Sequence, residues 1–410
     1  MTDGHCRFCG AELTRSFVDL GRSPLANSFL GADDLRRMEP FYPLHAYVCD
    51  NCLLVQLEEY QSAENIFGDY LYFSSYSAMW LRHCRDYAEQ MAERYRLHES
   101  SLVVEIASND GYLLQYFKER GVGVLGIEPA ANVARVAIDK GIATDIAFFG
   151  TATARRLVAQ GRQADLTAAN NVLAHVPDLN DFVAGFKILL KPTGIATFEF
   201  PHLLRLIQEC QFDTIYHEHF SYFSLLVVDK VFAHHGLAVF DVEELSTHGG
   251  SLRVFAAPAE AARPRSGRVG AVIAAERTAG LDRPGSYGDF GNAVTEVKCR
   301  LLAFLIGARR EGKTVVGYGA PAKGNTLLNY CGVGPELIPY TVDLSPHKQG
   351  RYLPGVQIPI DAPQRIFTTR PDYVLVLPWN LTDEIATQMA GIRDWGGRFV
   401  VAIPTLTILD

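Results

Sequence analysis

From Ser101 to Pro201 the chain alternates strand-like and helix-like stretches without interruption. "SLVVEIA" reads as a strand and "YLLQYFKERG" as a helix closed by Gly121. "VGVLGIEP" and "AANVARVAIDKG", closed by Gly141, repeat the unit, and "ADLTAANNVLAHV", "DFVAGFKILLKPTG" and "IATFEFP" continue it. Strands separated by helices that end in glycine predict a parallel sheet with helical crossovers. A second set follows: a helix near 290–311, the strand Thr314–Ala320, a helix from about Gly324, then the strands Ile338–Asp343, Asp372–Trp379 and "RFVVAIP". Before the first set, 65–98 is helical, with Tyr87, Met91 and Tyr95 on one face. Residues 255–290, rich in Ala, Arg, Pro and Gly, read as a linker with a surface helix. The expected organisation is α/β with three units, 1–68, 69–290 and 291–410.

The 410 residues carry a formal charge of −8, which argues against a nucleic-acid partner because the phosphate backbone selects Lys and Arg. The apolar runs are broken by charges before the length of a bilayer span, and "MTDGHCRFCG" has no secretory pattern, so a cytoplasmic protein without membrane contact is expected. Cysteines in that compartment are reduced, and paired spacings read as metal ligands. "CRFC" (Cys6, Cys9) and "CDNC" (Cys49, Cys52) are two such knuckles, with 39 residues between them. Four thiolates with no open position describe structural zinc, here a fastener between domains.

"VVEIASNDGYLL" turns tightly at the carboxyl edge of the first sheet, where α/β proteins bind ligands. Glu128 ends the next strand, about 20 residues on, where an acid suits ribose hydroxyls. Of the glycines in an E-x-G-x-G-x-G loop only Gly111 remains; Ala107 and Asn109 occupy the other two positions. A pyrophosphate needs the close approach that glycine allows, whereas S-adenosylmethionine has none, so the loop favours the methyl donor over NAD. The candidate donor contacts are Glu105, Ala107, Ser108, Asn109, Gly111, Leu113, Glu128, Phe148, Phe149 and Asn171.

"DTIYHEHFSYFS" sets Tyr216, His217, Glu218 and His219 side by side. Its residue types suit a metal site, a general base with helpers, or a polar turn. No His-Glu-x-x-His spacing supports the first. "GYGAPAKGNTLL" follows a strand and opens a helix, but its third glycine comes too late for a dinucleotide fingerprint and its lysine too early for a P-loop. Small residues, a lysine and a helix N-terminus still suit a phosphate; a decayed NAD domain is the other reading.

With "CRFCG…CDNC", "VEIASNDGYLL", "NNVLAHVPDL", "YHEHFSYFS", "HGGSLRV", "GYGAPAKGNTLLNY", "SPHKQGRYLPGVQIPI" and "LPWN", the chain resembles, over nearly its full length, the zinc-containing sugar C-3 methyltransferases of deoxysugar biosynthesis. Ala107 departs from the glycine common there. The resemblance implies methylation of carbon 3 of a dTDP-linked 4-keto-2,6-dideoxy sugar, or of its 3-amino relative, for antibiotic sugars. It implies His219 as the base, Glu218 orienting an imidazole, Tyr216 donating to the 4-oxygen, Tyr70 and His175 approaching from elsewhere, and His217 structural. The diphosphate then falls to Lys323, Gly324 and Asn325, with Tyr318, Ala320, Asp343, Lys348 and Trp379 completing the nucleotide-sugar site. An NAD-dependent oxidoreductase or epimerase on nucleotide sugars, and a non-catalytic zinc-ribbon scaffold, are the competing classes. The sequence leaves the oligomeric state open; a monomer suffices.

Overall fold

The four cysteines, too far apart in sequence to meet locally, are brought together by a small antiparallel meander. In the computed structural model, which describes residues 4–62, 75 and 78–409, this meander is β1 (Arg15–Ser23), β2 (Tyr42–Val48) and β3 (Val55–Leu57). The predicted alternation then forms β4 (Leu102–Ile106), β5 (Gly123–Ile127), β7 (Ala164–Asn170) and β8 (Leu190–Pro201), with a short strand the sequence reading lacked, β6 (Thr144–Asp145), beside β5, all parallel. Next comes β9 (Ser221–Tyr222), which leaves this sheet and adds to β3 of the meander. A hairpin of β10 (Leu237–Leu245) and β11 (Ser251–Pro258) completes the central sheet in the order β10-β11-β8-β7-β4-β5-β6.

The hairpin corrects the sequence reading. Residues 255–258 are not linker but the end of β11, and all eight residues of that strand are buried between β8 and β10. A strand covered on both faces shows no polar alternation, so its Ala-rich end looked like a connection. The expected surface helix does form, at Gly267–Thr278. Likewise "LKPTG" is the start of β8 and not the end of a helix. The β7–β8 register slips between Ala164 and Leu166, an irregularity that accommodates Pro192.

The C-terminal sheet contains β12 (Val315–Tyr318), β13 (Thr341–Val342), β14 (Ile360–Asp361), β15 (Tyr373–Val376), β16 (Arg398–Val401) and β17 (Thr407–Leu409). Its order is β14-β13-β12-β15-β16-β17, parallel except for the last strand. The molecule is therefore a three-part α/β protein: a cysteine-rich N-terminal domain, a central domain on the seven-stranded sheet, and a second α/β domain. The segment from Phe212 to Tyr222 touches all three. No helix among the described residues is long and apolar enough to cross a membrane.

Candidate active site

The two knuckles are alike. Gly10 N–H donates to Cys6 O, and Leu53 N–H to Cys49 O, both at 2.9 Å, and both turn residues are left-handed. This aims Cys6, Cys9, Cys49 and Cys52 at one point, with their sulfurs within 4.8 Å of one another. The amide of Gln56 donates to Cys6 Sγ at 3.1 Å, as a partner of a thiolate should. Four converging sulfurs and no other donor fit zinc, and among the described residues this is the only such cluster.

The donor loop follows β4. Ala107, Asn109 and Gly111 all have positive φ, of 57°, 48° and 79°. An alanine there costs about 1 kcal/mol, so the departure at 107 is a strained replacement for glycine. Gly111 is required by space as well, because a Cβ would lie 2.4 Å from Ile142 Cδ1. Glu128 fastens the loop: one carboxylate oxygen accepts Asn109 N–H at 2.9 Å and the other accepts Ala130 N–H at 2.8 Å. At the end of β7, the buried side-chain carbonyl oxygens of Asn170 and Asn171 have no hydrogen-bond partner. Orphaned acceptors beside an irregular loop fit a polar ligand such as S-adenosylmethionine.

Several expected donor contacts turn inward instead. Glu105 is fully buried beneath the loop against Tyr112. Burial pushes its pKa well up. Ser108 and Leu113 are also fully buried, Phe149 packs on Phe182 and Phe186, and Phe148 is exposed on the surface. Leu113 and Phe149 are packing positions, whereas Phe148 faces solvent.

"YHEHF" is a turn, with His219 N–H donating to Tyr216 O at 2.8 Å. The turn throws its two histidines in different directions. His217 donates from Nε2 to Pro43 O at 3.0 Å, in the cysteine-rich domain, and is structural as expected. His219 donates from Nδ1 to Thr214 O at 2.8 Å. A carbonyl only accepts, so Nδ1 carries the proton and the Nε2 lone pair is left for chemistry. Tyr216 lies beside this ring, at 4.0 Å between centroids, and His175 meets it edge-on at 4.6 Å. Loss of solvent, and then the neighbouring His175, hold His219 well below the usual histidine value. Burial also holds His175 down, at about 4. All three rings stay partly exposed, so a substrate can reach them.

The Glu218 carboxylate does not orient an imidazole; the residue reaches one, His175, through its backbone instead. Its carboxylate accepts the Asn27 side-chain amide at 2.6 Å, across the seam to the N-terminal domain. Burial raises it to about 7, against the pull of that amide. Tyr70 lies outside the described residues.

His248, the histidine of "HGGSLRV", also enters this neighbourhood. It has a left-handed backbone (φ 54°), accepts the Asn171 amide on Nε2 at 3.2 Å, and sits 5.5 Å from the Trp80 ring. Burial holds it at about 4. A histidine before two glycines, just ahead of a strand, was the available signal. Beneath it, buried Glu199 binds His83 at 2.9 Å, Arg253 at 3.0 Å and Thr247 at 2.9 Å. Burial alone would raise Glu199, but His83, Arg253 and Thr247 outweigh it and bring it to about 2.

The C-terminal loop is turned differently from the phosphate cradle expected. Lys323 Nζ lies 4.2 Å from the Trp379 ring centre and donates to Asn380 at 2.8 Å, while its charge is felt by Asp213 and His219. Asn325 is buried and its amide donates to Ala26 O; Gly324 is buried against Leu377. The helix Ala322–Cys331 lies in the seam between domains, and this contact uses the Asn325 amide while its side-chain oxygen has no partner. Tyr318 is bound to Gln388 at 3.0 Å. Asp343 accepts Ala320 N–H at 2.7 Å, and Lys348 caps the same turn through Ala320 O at 2.9 Å.

Comparison with known proteins matches each part. Residues 6–67 match a family described as a zinc binding domain, 78–242 a methyltransferase domain, and 246–404 a C-methyltransferase C-terminal domain. Among curated proteins, C-methyltransferase NovU of Streptomyces niveus is 38% identical over 405 residues, covering 99% of this chain and 96% of NovU. Solved structures give partial matches. An S-adenosylmethionine-dependent methyltransferase of Clostridium acetobutylicum has 11% identity and TM-score 0.35 over 43% of this chain and 91% of its own. Magnesium protoporphyrin IX methyltransferase of Synechocystis has 14% identity and TM-score 0.33 over 47% and 88%. The chain thus belongs to the C-methyltransferase family of NovU, enzymes dependent on S-adenosylmethionine that carry a four-cysteine zinc domain ahead of the methyltransferase domain.

Proposed function

We propose that the protein methylates a carbon beside the keto group of a dTDP-linked 4-keto deoxysugar, with carbon 3 as the acceptor and His219 as the base. The observation that supports this most directly is the His219 Nδ1–H bond to Thr214 O, which leaves a basic Nε2 in a partly exposed cluster. Carbon becomes a nucleophile when an adjacent carbonyl acidifies its proton. His219 Nε2 takes that proton, and the electron pair moves into an enolate whose oxygen needs a donor. Tyr216, beside His219, supplies an O–H, and His175 shapes the other wall. S-adenosylmethionine, when bound, supplies an electrophilic methyl group. The loop at 107–111, Glu128 and Asn171 hold the donor. The C-terminal domain takes the nucleotide, with Lys323 and Lys348 as its cations near the carboxyl edge of β12 and β13. The zinc is structural in this reading.

A 4-keto group acidifies the protons on both flanking carbons, so the site of methylation is the decisive measurement. Purified protein, labelled methyl donor and a panel of dTDP-4-keto sugars, differing in the carbon-3 substituent, should give one methylated product. NMR should place the methyl on carbon 3. A methyl on carbon 5 overturns that choice of carbon but leaves the base and enolate intact; no transfer to any keto sugar overturns the sugar reading.

A further inference from the structure

The turn that holds the base is itself held by another domain. Thr214 O accepts from His219, and the residues on either side of Thr214 are both bound by the C-terminal domain. Trp379 Nε1–H donates to Asp213 Oδ2 at 2.8 Å. The Thr326 hydroxyl donates to Ile215 O at 3.1 Å. One residue further back, Phe212 packs edge-on against Tyr330 at 5.3 Å between centroids. Trp379 is fixed in turn: a Cβ on Gly249 would stand 2.4 Å from its ring, and Gly249 O accepts the Gln211 amide at 2.7 Å. Asp213 is fully buried, yet only one of its carboxylate oxygens is bonded. A buried carboxylate is costly even with the Lys323 charge and the backbone amides of Asp213 and Thr214 nearby, and packing alone does not require one at this point.

We propose that Asp213 and Trp379 are positioning residues for His219: their hydrogen bond transmits the seating of the C-terminal domain to the Thr214 carbonyl, and so fixes which imidazole nitrogen is basic and where it points. The inference rests on the reading of His219 as the base. It gives the C-terminal domain a part in the chemical step as well as in binding. Without Trp379, the turn keeps its sequence but loses one of its two side-chain anchors, and the Nδ1–H bond is no longer enforced.

The test combines kinetics with NMR of the full-length enzyme labelled with nitrogen isotope in histidine. Trp379→Phe should lower kcat on the order of 10²-fold, the cost of a misplaced catalytic group, with little change in KM for the methyl donor. The His219 signals should pass from a single Nδ1–H tautomer to a mixture. Asp213→Asn retains an acceptor for the indole and should recover much of the rate lost in Asp213→Leu. Unchanged kcat and tautomer in Trp379→Phe overturn the proposal. If Trp379→Phe does not fold, equal rates for Asp213→Asn and Asp213→Leu do so. Normal turnover by His219→Asn would instead remove the base reading, while the tautomer measurement still decides whether Trp379 orients the ring.

Discussion

His175 and His219 meet edge to face, with 4.6 Å between ring centres and 75° between planes, and surrounding protein keeps both neutral. Two imidazoles this close disfavour each other's protonation, which adds to the loss of solvent.

A pH profile follows from this pairing. A base works only when unprotonated, and the His219 pKa is displaced downward, so its active form persists below the ordinary histidine value. The acidic limb of kcat/KM for the His219 step should therefore lie below about 6.5. His219→Asn should cost about 10² or more in kcat while both ligands still bind, whereas Tyr216→Phe should cost less. Steady-state kinetics with calorimetry measures both. A limb at or above the ordinary value that survives in Glu218→Gln would show His219 to be an unperturbed imidazole.

Glu128 should matter to the donor alone. Its carboxylate accepts the Asn109 and Ala130 amides, and Glu128→Ala frees the loop at both points. Affinity for S-adenosylmethionine should fall by about 1.5–3 kcal/mol, the scale of hydrogen bonds to a charged group, with dTDP affinity unchanged. Calorimetry reporting the reverse dependence would reverse the assignment of the two domains.

Metal removal should reach beyond the zinc site. One zinc per chain is expected by elemental analysis, and none after Cys→Ser at 6, 9, 49 and 52. Because β9 pairs with β3, and Glu218 with Asn27, loosening the zinc domain disturbs both ends of the "YHEHF" turn. Chelation should therefore lower Tm and abolish turnover together. Full activity in metal-free protein would contradict this.

Glu199 contributes to stability with a definite sign. Its folded pKa, about 2, lies below the unfolded carboxylate value, so its contribution is complete above the unfolded pKa and is lost as pH falls through the folded one. Glu199→Leu removes one of the two carboxylates on Arg253, which is 4% exposed and keeps Glu243 at 3.3 Å, and should cost about 1.5–3 kcal/mol in denaturant titrations at neutral pH. A loss no larger than that of a surface ion pair would show that Glu243 alone satisfies Arg253.

Much was fixed by local sequence. Cysteine spacing alone marked the four ligands, since each knuckle is a five-residue turn with its own backbone hydrogen bond. The alternation of strands and helices marked β4, β5, β7 and β8, because period and glycine stops are short-range properties. "YHEHF" stood out by composition. The tertiary structure decided what each residue in it does. His219 has a defined tautomer because Thr214 O is placed against it, by contacts that involve Trp379, 166 positions from Asp213. The Glu218 carboxylate pairs with Asn27, 191 positions away, and not with a neighbouring imidazole. The Asn325 amide is held by Ala26 O, 299 positions away, and residues 255–258 became a strand only because β8 and β10 cover them. Spacing determines which groups a turn can present, but burial and hydrogen-bond partners come from packing between distant segments, and these set protonation and direction.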